Sequence, residues 1–292
     1  MEKRTKEFPE LYKGILCIVL SAFCFAFMNV FVRLSGDLPS VQKSFFRNLI
    51  AFFIALFMLI RSREKIHVPK GSMKYLAARS VFGTIGILCN FYAVDHLVIS
   101  DASMLNKMSP FFSILFSFII LKERLSFTQG AVVAAAFCGS LFIVKPTAGI
   151  FEEPAALIGL LGGIGAGAAY TMVRILGQKG VSKSFIVLFF SAFSCVVTLP
   201  YIILNFAPMT LSQLLCLIGA GAAAAGGQFG ITSAYCYAPA KEISVYDYSQ
   251  LIFAMILGFV FFGQIPDGWS IIGYGIIVVA AVVMFLYNRS KK

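Results

Sequence analysis

Apolar residues dominate this chain in long runs that are separated by short polar connections. A run of about 20 apolar residues is the length that an α-helix needs to cross a bilayer. The pattern therefore predicts ten membrane-spanning helices, and the short connections make neighbouring helices antiparallel. The predicted helices occupy residues 11–34, 39–60, 73–94, 100–121, 126–145, 154–177, 184–205, 211–236, 243–262 and 268–288.

The composition supports the same fold class. Hydrophobic residues make up 59% of the 292 residues and charged residues only 13%, whereas a soluble domain has about 45–50% and roughly 25%. These values exclude a cytosolic enzyme, a disordered chain and a secreted disulfide scaffold. A membrane β-barrel would show alternating strands of roughly 10 residues instead of long apolar runs. We expect an all-α integral membrane protein.

The basic residues report orientation rather than a nucleic-acid partner. The net charge is +11, but Lys and Arg lie in short pieces between the apolar runs. With a cytoplasmic N-terminus, only Arg33, Lys43 and Lys145 fall on the opposite side. By the positive-inside rule, we expect a multi-pass protein of the plasma or inner membrane with both termini cytoplasmic.

Similar residues recur weakly in the two halves of the chain at one constant spacing. This spacing equals the number of positions from Gly86 to Gly227, and we call it the repeat offset. At this spacing Val32-Arg33-Leu34-Ser35-Gly36 matches Val173-Arg174-Ile175-Leu176-Gly177. Because five spans is an odd number, the second half must enter the membrane from the opposite side. This predicts two inverted five-helix repeats, the architecture of many secondary transporters. The expected units are a cytoplasmic N-terminus (1–10), two repeats (11–145 and 154–288) and a cytoplasmic C-terminus (289–292).

Several motifs carry a family resemblance. They are Phe91-Tyr92-Ala93, Ser100-Asp101-Ala102-Ser103, Ser109-Pro110-Phe111-Phe112, Leu121-Lys122-Glu123-Arg124-Leu125, Asp247-Tyr248 and Phe262-Gly263-Gln264-Ile265-Pro266-Asp267. Over nearly its whole length the chain resembles two EamA-type domains of the drug/metabolite transporter superfamily. The resemblance implies ten helices, cytoplasmic termini and a central cavity lined by helices 1, 3, 4, 6, 8 and 9. Members of that superfamily move amino acids, related metabolites, S-adenosylmethionine or cationic compounds.

Three charges inside the apolar runs are candidate substrate-binding residues, because a charge at the centre of a spanning helix costs about 2.5–3.5 kcal/mol. Lys107 either lines the cavity or pairs with a carboxylate that locks two helices. Asp247 could take a proton, receive a substrate amine, pair with Lys107 or cap its helix. We expect their depths to differ by roughly 10 Å. Arg47 either clamps a substrate carboxylate or has a structural role in a peripheral helix.

Uncharged polar residues inside the spans form a second group of candidates. They either orient a polar ligand or bind helices together, at about 0.6 kcal/mol per hydrogen bond. These candidates are Asn29, Asn90, Asn106, Tyr170, Gln228, Tyr235, Tyr246, Tyr248 and Gln250.

Small residues predict how the helices pack. Gly159, Gly163 and Gly167 recur every four residues, so this face of the sixth helix should let a neighbouring backbone approach closely. One face of the third helix carries Arg79, Gly83, Gly86 and Asn90, which either orient a polar ligand by hydrogen bonds or bind helices together. Pro110 removes a backbone donor from the fourth helix and is a candidate hinge.

No cofactor or metal is expected. The seven cysteines form no CxxC pair, and His67 and His96 are the only histidines, so neither a metal site nor a clustered catalytic site is indicated. The sequence favours a secondary carrier of a small polar or zwitterionic, amino-acid-like metabolite, with protons as a candidate coupling ion. The alternatives are an S-adenosylmethionine or nucleoside-like uptake carrier, and a lipid-headgroup flippase or non-transporting membrane partner. Either a monomer or a homodimer fits.

Overall fold

The computed structural model describes residues 2–62, 68–97, 99–146 and 153–290. Within these ranges the chain forms helices joined by short turns, and a 3₁₀ segment, Ser244–Tyr248, separates α10 from α11. The helices are α1 (Glu2–Leu34), α2 (Ser40–Ser62), α3 (Met73–His96), α4 (Ile99–Asn106), α5 (Ser109–Leu121), α6 (Phe127–Val144), α7 (Pro154–Gln178), α8 (Lys183–Leu204), α9 (Leu211–Tyr237), α10 (Ala240–Ile243), α11 (Ser249–Phe262) and α12 (Gly268–Ser290).

The described residues provide ten segments that are long and apolar enough to cross a membrane, as the sequence predicts. Eight of the spans are single helices. The fourth span, Ala102–Leu121, consists of most of α4 and all of α5. The ninth span, Ala240–Phe262, consists of α10, the 3₁₀ segment and α11. Because the number of spans is even, α1 begins and α12 ends on one side of the membrane, which we call the terminal side.

The prediction of continuous helices over 100–121 and 243–262 is wrong, because both spans are broken in their first half. α4 ends at Asn106, and α5 restarts at Ser109 with Pro110 in its first turn. Pro110 has no N–H for the carbonyl four residues earlier, so the helix cannot continue through this point. The ninth span has no proline at its break. It tightens instead into 3₁₀ geometry, which in mid-helix often marks a hinge.

Glycines allow the helices to pack closely, as their spacing predicts. The Gly159–Gly167 face of α7 packs on the fourth span. A Cβ added to Gly163 would lie 2.6 Å from the carbonyl oxygen of Leu105, and one on Gly167 would lie 2.5 Å from Cβ of Phe112. α9 packs on α1 in the same manner.

Contacts between the helices recur at the repeat offset. On α3, a Cβ added to Gly86 would lie 3.2 Å from the carbonyl oxygen of Gly162 in α7. The repeat offset relates this pair to Gly227 of α9 and Ser21 of α1, and the Ser21 hydroxyl donates to the Gly227 carbonyl at 2.7 Å. The two halves thus supply equivalent positions to equivalent helix contacts.

One ion pair lies in the connections outside the spans. Asp267 accepts a hydrogen bond from the backbone N–H of Ser270 at 3.0 Å and so begins α12. The Lys145 ammonium also donates to this carboxylate. These two donors stabilise the charged form and hold the pKa of the Asp267 carboxyl well below its usual range.

The close approach of α7 to α5 makes a specific stability prediction. We expect Gly167→Ala to lower the free energy of unfolding by about 1–3 kcal/mol, because the new methyl group overlaps Phe112 and the backbone of Ser113. Thermal unfolding of the detergent-purified protein measures this. The matched control is Gly275→Ala in α12, where nothing lies within 4 Å of the added Cβ. The control should stabilise the helix by about 0.5–1 kcal/mol, and equal effects of the two changes would contradict the packing.

Candidate functional site

The two helix breaks meet in the interior of the protein. At the break in the fourth span, the Phe111 N–H donates to the Met108 carbonyl instead of the Lys107 carbonyl. The Lys107 carbonyl is thus left without its helical donor. The Tyr248 hydroxyl, from the break in the ninth span, donates to it at 3.0 Å. Each break therefore satisfies a polar group that the other exposes.

Lys107 is also held by its side chain. Its Nζ lies 3.3 Å from Oδ2 of Asp247 and 2.7 Å from Oε1 of Gln250. A third acceptor, the Asp247 carbonyl oxygen, lies 3.4 Å away. An ammonium has three donors, and all three find acceptors on the ninth span.

The sequence places Lys107 and Asp247 at depths that differ by roughly 10 Å, yet their charged groups meet, because both spans are broken and the long lysine side chain reaches across. Of the alternatives that the sequence leaves open for these residues, the structure shows them paired.

Hydroxyl groups surround this pair. The Ser113 Oγ lies 3.3 Å from both the Tyr235 hydroxyl and the Ser244 Oγ. The Tyr235 ring stacks on the Tyr170 ring, with the centroids 5.0 Å apart and the planes 18° from parallel. Tyr170 also lies within electrostatic reach of Asp247, so it connects the broken spans to the rest of the interior.

Arg79 is a buried cation that we did not predict as a site residue. Its Nη2 donates to Oε1 of Gln228 at 2.9 Å, and its Cζ lies 3.7 Å from the centroid of the Phe190 ring. The guanidinium lies against α3 itself, where a Cβ on Gly83 would collide with Nη1. The signal was present in the sequence, since Arg79 lies inside an apolar run on the same face as Gly83.

Arg47 of α2 is also turned to the interior rather than to the periphery. Its Cζ lies 6.0 Å from the centroid of the Phe25 ring. Phe25 packs against Gly227 of α9, the residue before Gln228, which binds Arg79, so the two arginines lie in one region of the interior. The next residue, Asn48, is bound to α8 by a 2.9 Å hydrogen bond to Ser194.

The buried charges do not balance. Among the described residues, four charged side chains are buried: Arg47 (6% exposed), Arg79 (2%), Lys107 (5%) and Asp247 (7%). Lys107 forms an ion pair with the carboxylate of Asp247. The other ion pairs in this part of the chain involve neither arginine. The Nε atoms of Arg47 and Arg79 are buried without a hydrogen-bond partner.

The remaining predicted residues are less closely connected to these four buried charged side chains. Asn106 donates to Asn90 at 3.0 Å and so connects the end of α4 to α3. Tyr246 is buried, and its hydroxyl has no partner. Asn29 is exposed and lies one helical turn beyond Phe25. Gln228 is connected to the buried charges by the hydrogen bond that it accepts from Arg79. No group of three metal-ligating side chains was found among the residues that the structure describes.

Two equivalent contacts lie towards the two ends of the molecule. On the terminal side, the Arg174 Nε lies 3.3 Å from Oε1 of Glu123. The repeat offset relates these two positions to Arg33 and Gln264 on the opposite side. With the Gln264 amide oriented to offer its oxygen, this pair is 2.6 Å apart. One contact is ionic, and its counterpart has a neutral acceptor.

The terminal side is also where α7 and α9, both of the second half, pack closely on each other. Arg174 Nη1 donates to the Cys236 carbonyl oxygen at 3.2 Å. A Cβ added to Gly177 of α7 would lie only 2.6 Å from the Sγ of Cys236 in α9. The equivalent glycine on the opposite side, Gly36, has only the Gln213 side chain within 4 Å among the described residues.

Comparison with known proteins agrees with this architecture. The model of the EamA-like transporter family matches residues 12–145 and, a second time, residues 154–286. The pseudopaline exporter CntI of Pseudomonas aeruginosa strain UCBPP-PA14 is 32% identical over 284 residues, which cover 97% of this chain and 98% of that protein. Human solute carrier family 35 member G1 is 28% identical, covering 95% and 81%. A riboflavin transporter of Rhizobium johnstonii is 27% identical, covering 92% and 89%.

A solved crystal structure shares the fold, with a TM-score of 0.83 at 16% identity, and the match covers 94% of this chain and 98% of that one. The family match takes in both halves and all ten spans at least in part. The chain is therefore a multi-pass membrane protein that belongs to the EamA-like transporter family.

Proposed function

We propose that this protein is a secondary active transporter of a small polar, amino-acid-like metabolite, and that it works by alternating access in the inner membrane. The observation that carries the proposal is the buried ionic cluster at the meeting point of the two broken spans. Discontinuous helices at mid-membrane are typical of substrate sites in secondary transporters. The transporter names of the relatives support the general class.

The Lys107–Asp247 pair suits a zwitterionic substrate. A substrate ammonium can replace Lys107 at Asp247, while a substrate carboxylate accepts the Lys107 ammonium. When the substrate leaves, the two side chains pair again, so neither charge is left unpaired in the interior, where it would be costly. Asp247 could equally take a coupling proton while Lys107 is held by Gln250.

Alternating access is supported by the equivalent contacts of the two halves. Residues 11–145 and 154–288 each contribute five spans, and their contacts correspond at the repeat offset. We infer two inverted repeats, with the terminal segments 1–10 and 289–292 in the cytoplasm. Such a molecule has two similar conformations that open the same central site to opposite sides.

A second candidate is a carrier of a compound with a flat ring, such as a nucleoside-like metabolite or S-adenosylmethionine. The stacked rings of Tyr170 and Tyr235 beside the cluster favour it, because an aromatic pair offers further stacking area. The similarity to a riboflavin transporter also supports this candidate.

The first test separates the structural from the substrate-binding role of the Lys107–Asp247 pair. Lys107→Ala or Asp247→Asn should each destabilise the protein by about 3–5 kcal/mol, because one buried charge is left unpaired. The double variant Lys107→Gln, Asp247→Asn should regain most of that stability and still lose substrate flux. Thermal unfolding and proteoliposome flux of amino acids, S-adenosylmethionine, nucleosides, polyamines and quaternary amines measure both.

The matched control neutralises the exposed ion pair in the connections, by Lys145→Gln and Asp267→Asn. Surface ion pairs contribute little to stability, so this variant should keep both its fold and its flux. If the Lys107→Gln, Asp247→Asn protein transports as well as the control, the pair is structural and the substrate binds elsewhere.

The second test concerns the closure of the terminal side. Glu123→Gln removes the charge that fixes Arg174, and Arg174 is the side chain that reaches across to Cys236. We expect Cys236 to react faster with a membrane-permeant maleimide in this variant, in a protein whose other six cysteines are alanine. Gln264→Glu, at the equivalent position on the opposite side, is the control. It should not accelerate labelling, and equal acceleration by both changes would contradict the assignment of the closed side.

A further inference from the structure

We propose that Arg47 and Arg79 form a binding subsite for acidic groups, and that the transported metabolite is a dianion of the carboxylate class. The inference rests on the proposed transporter function and narrows its substrate. It arises from two cations for which the described residues provide no counter-ion, not from the Lys107–Asp247 pair.

The argument begins with the charge of the interior. The buried charges among the described residues are three cations and one anion. Since Asp247 pairs with Lys107, both guanidinium charges remain uncompensated. The two arginines lie in one region, because Gln228, the partner of Arg79, follows Gly227, which packs against the Phe25 ring under Arg47. A buried charge without a partner is strongly unfavourable, and acidic groups bound at both arginines would remove the excess charge.

The neighbours of the Arg79 side chain orient its guanidinium for contact with such an acidic group. Phe190 and Gln228 fix the plane of its guanidinium, and the missing Cβ of Gly83 gives the group room beside its own helix. A guanidinium has five donors, and the hydrogen bond to Gln228 uses one of them. Because Nε is buried without a partner, the group retains donors for a two-pronged contact with a carboxylate.

The Arg47 side chain is held less firmly. Its Cζ lies 6.0 Å from the centroid of the Phe25 ring, and its Nε is also without a partner. A structural arginine of a spanning helix would be expected to bind a carboxylate or several carbonyl oxygens. The surroundings of Arg47 are therefore those of a ligand-binding group rather than those of a structural residue that holds two helices together.

Two guanidinium groups call for two negative charges. One carboxylate would compensate one arginine and leave the other charge unbalanced. A substrate with an excess of two negative charges makes the interior neutral as a whole and can contact both groups.

The test compares acids with their own amides, which have nearly the same shape and one charge fewer. The probes are succinate and its monoamide, and glutarate and its monoamide, because each acid carries an excess of two negative charges and each monoamide only one. Binding is measured by thermal shift and uptake by proteoliposome flux. We expect at least one acid to bind about tenfold to a hundredfold more tightly than its amide, because a charge-assisted contact is lost with the charge.

The arginine variants connect this preference to the subsite. Arg47→Gln and Arg79→Gln should each reduce the ratio of acid to amide affinity about tenfold. Arg79→Lys keeps the charge but not the two-pronged geometry and should restore only part of the ratio. Lys145→Gln removes a cation from the connections and should leave the ratio unchanged. In the ligand-free protein, Arg47→Gln should maintain or raise the melting temperature, whereas loss of a structural arginine would lower it.

A further variant covers the case in which a charge removal prevents folding. Gly83→Ala keeps every charge but displaces the Arg79 guanidinium, and it should also lower the ratio. Equal binding of acid and amide in the wild type, or stabilisation by chloride alone with no effect of the acids, would overturn the dianion proposal. Flux of a zwitterion or an amine that is independent of both arginines would overturn it as well, yet retain the transporter function. No flux of any probe would count against both proposals.

Discussion

Hydrocarbon offers no hydrogen-bond partner to a buried carbonyl group and no counter-ion to a buried charge. The centre of this protein depends on that constraint. Pro110 breaks the fourth span, and the Lys107 carbonyl that loses its helical donor accepts the hydroxyl of Tyr248. The Lys107 ammonium then finds three acceptors on the ninth span. Each break is tolerated because the other is beside it, so the two broken spans form one unit that crosses the interior.

That unit also joins the two halves at equivalent positions, because Lys107 and Tyr248 are separated by the repeat offset. The same offset relates the terminal-side pair of Arg174 and Glu123 to the pair of Arg33 and Gln264 on the opposite side. The geometry is repeated, but the chemistry is not, since one acceptor is a carboxylate and the other an amide. Under the proposed alternating access, a molecule built in this way would have two similar conformations of unequal free energy. A modest difference of this kind lets a ligand shift the balance between them.

The spans and the small-residue packing could be predicted from the sequence, because the bilayer fixes the length of a spanning helix and glycine spacing marks a close face. The breaks could be predicted only in part. Pro110 indicated the first, but the segment around Asp247 contains neither proline nor glycine. Its 3₁₀ geometry depends on a partner that is distant in the chain. For the same reason the sequence leaves the pairing of Lys107 with Asp247 as one alternative among several, and it indicates Arg79 only as a member of a polar face of the third helix.

The interior thus contains two kinds of charge pair, and their signs distinguish what each can do. Lys107 and Asp247 have opposite charges and neutralise each other. Their ion pair stabilises the contact between the two breaks in the ligand-free protein. Arg47 and Arg79 have the same charge, and no arrangement of the described residues neutralises them. Natural proteins retain such a destabilising arrangement where function requires it. An empty carrier would have to move an excess of two positive charges through its conformational change, whereas a carrier loaded with a dianion would be neutral. The same pair of arginines that selects the substrate therefore favours movement of the loaded carrier over the empty one.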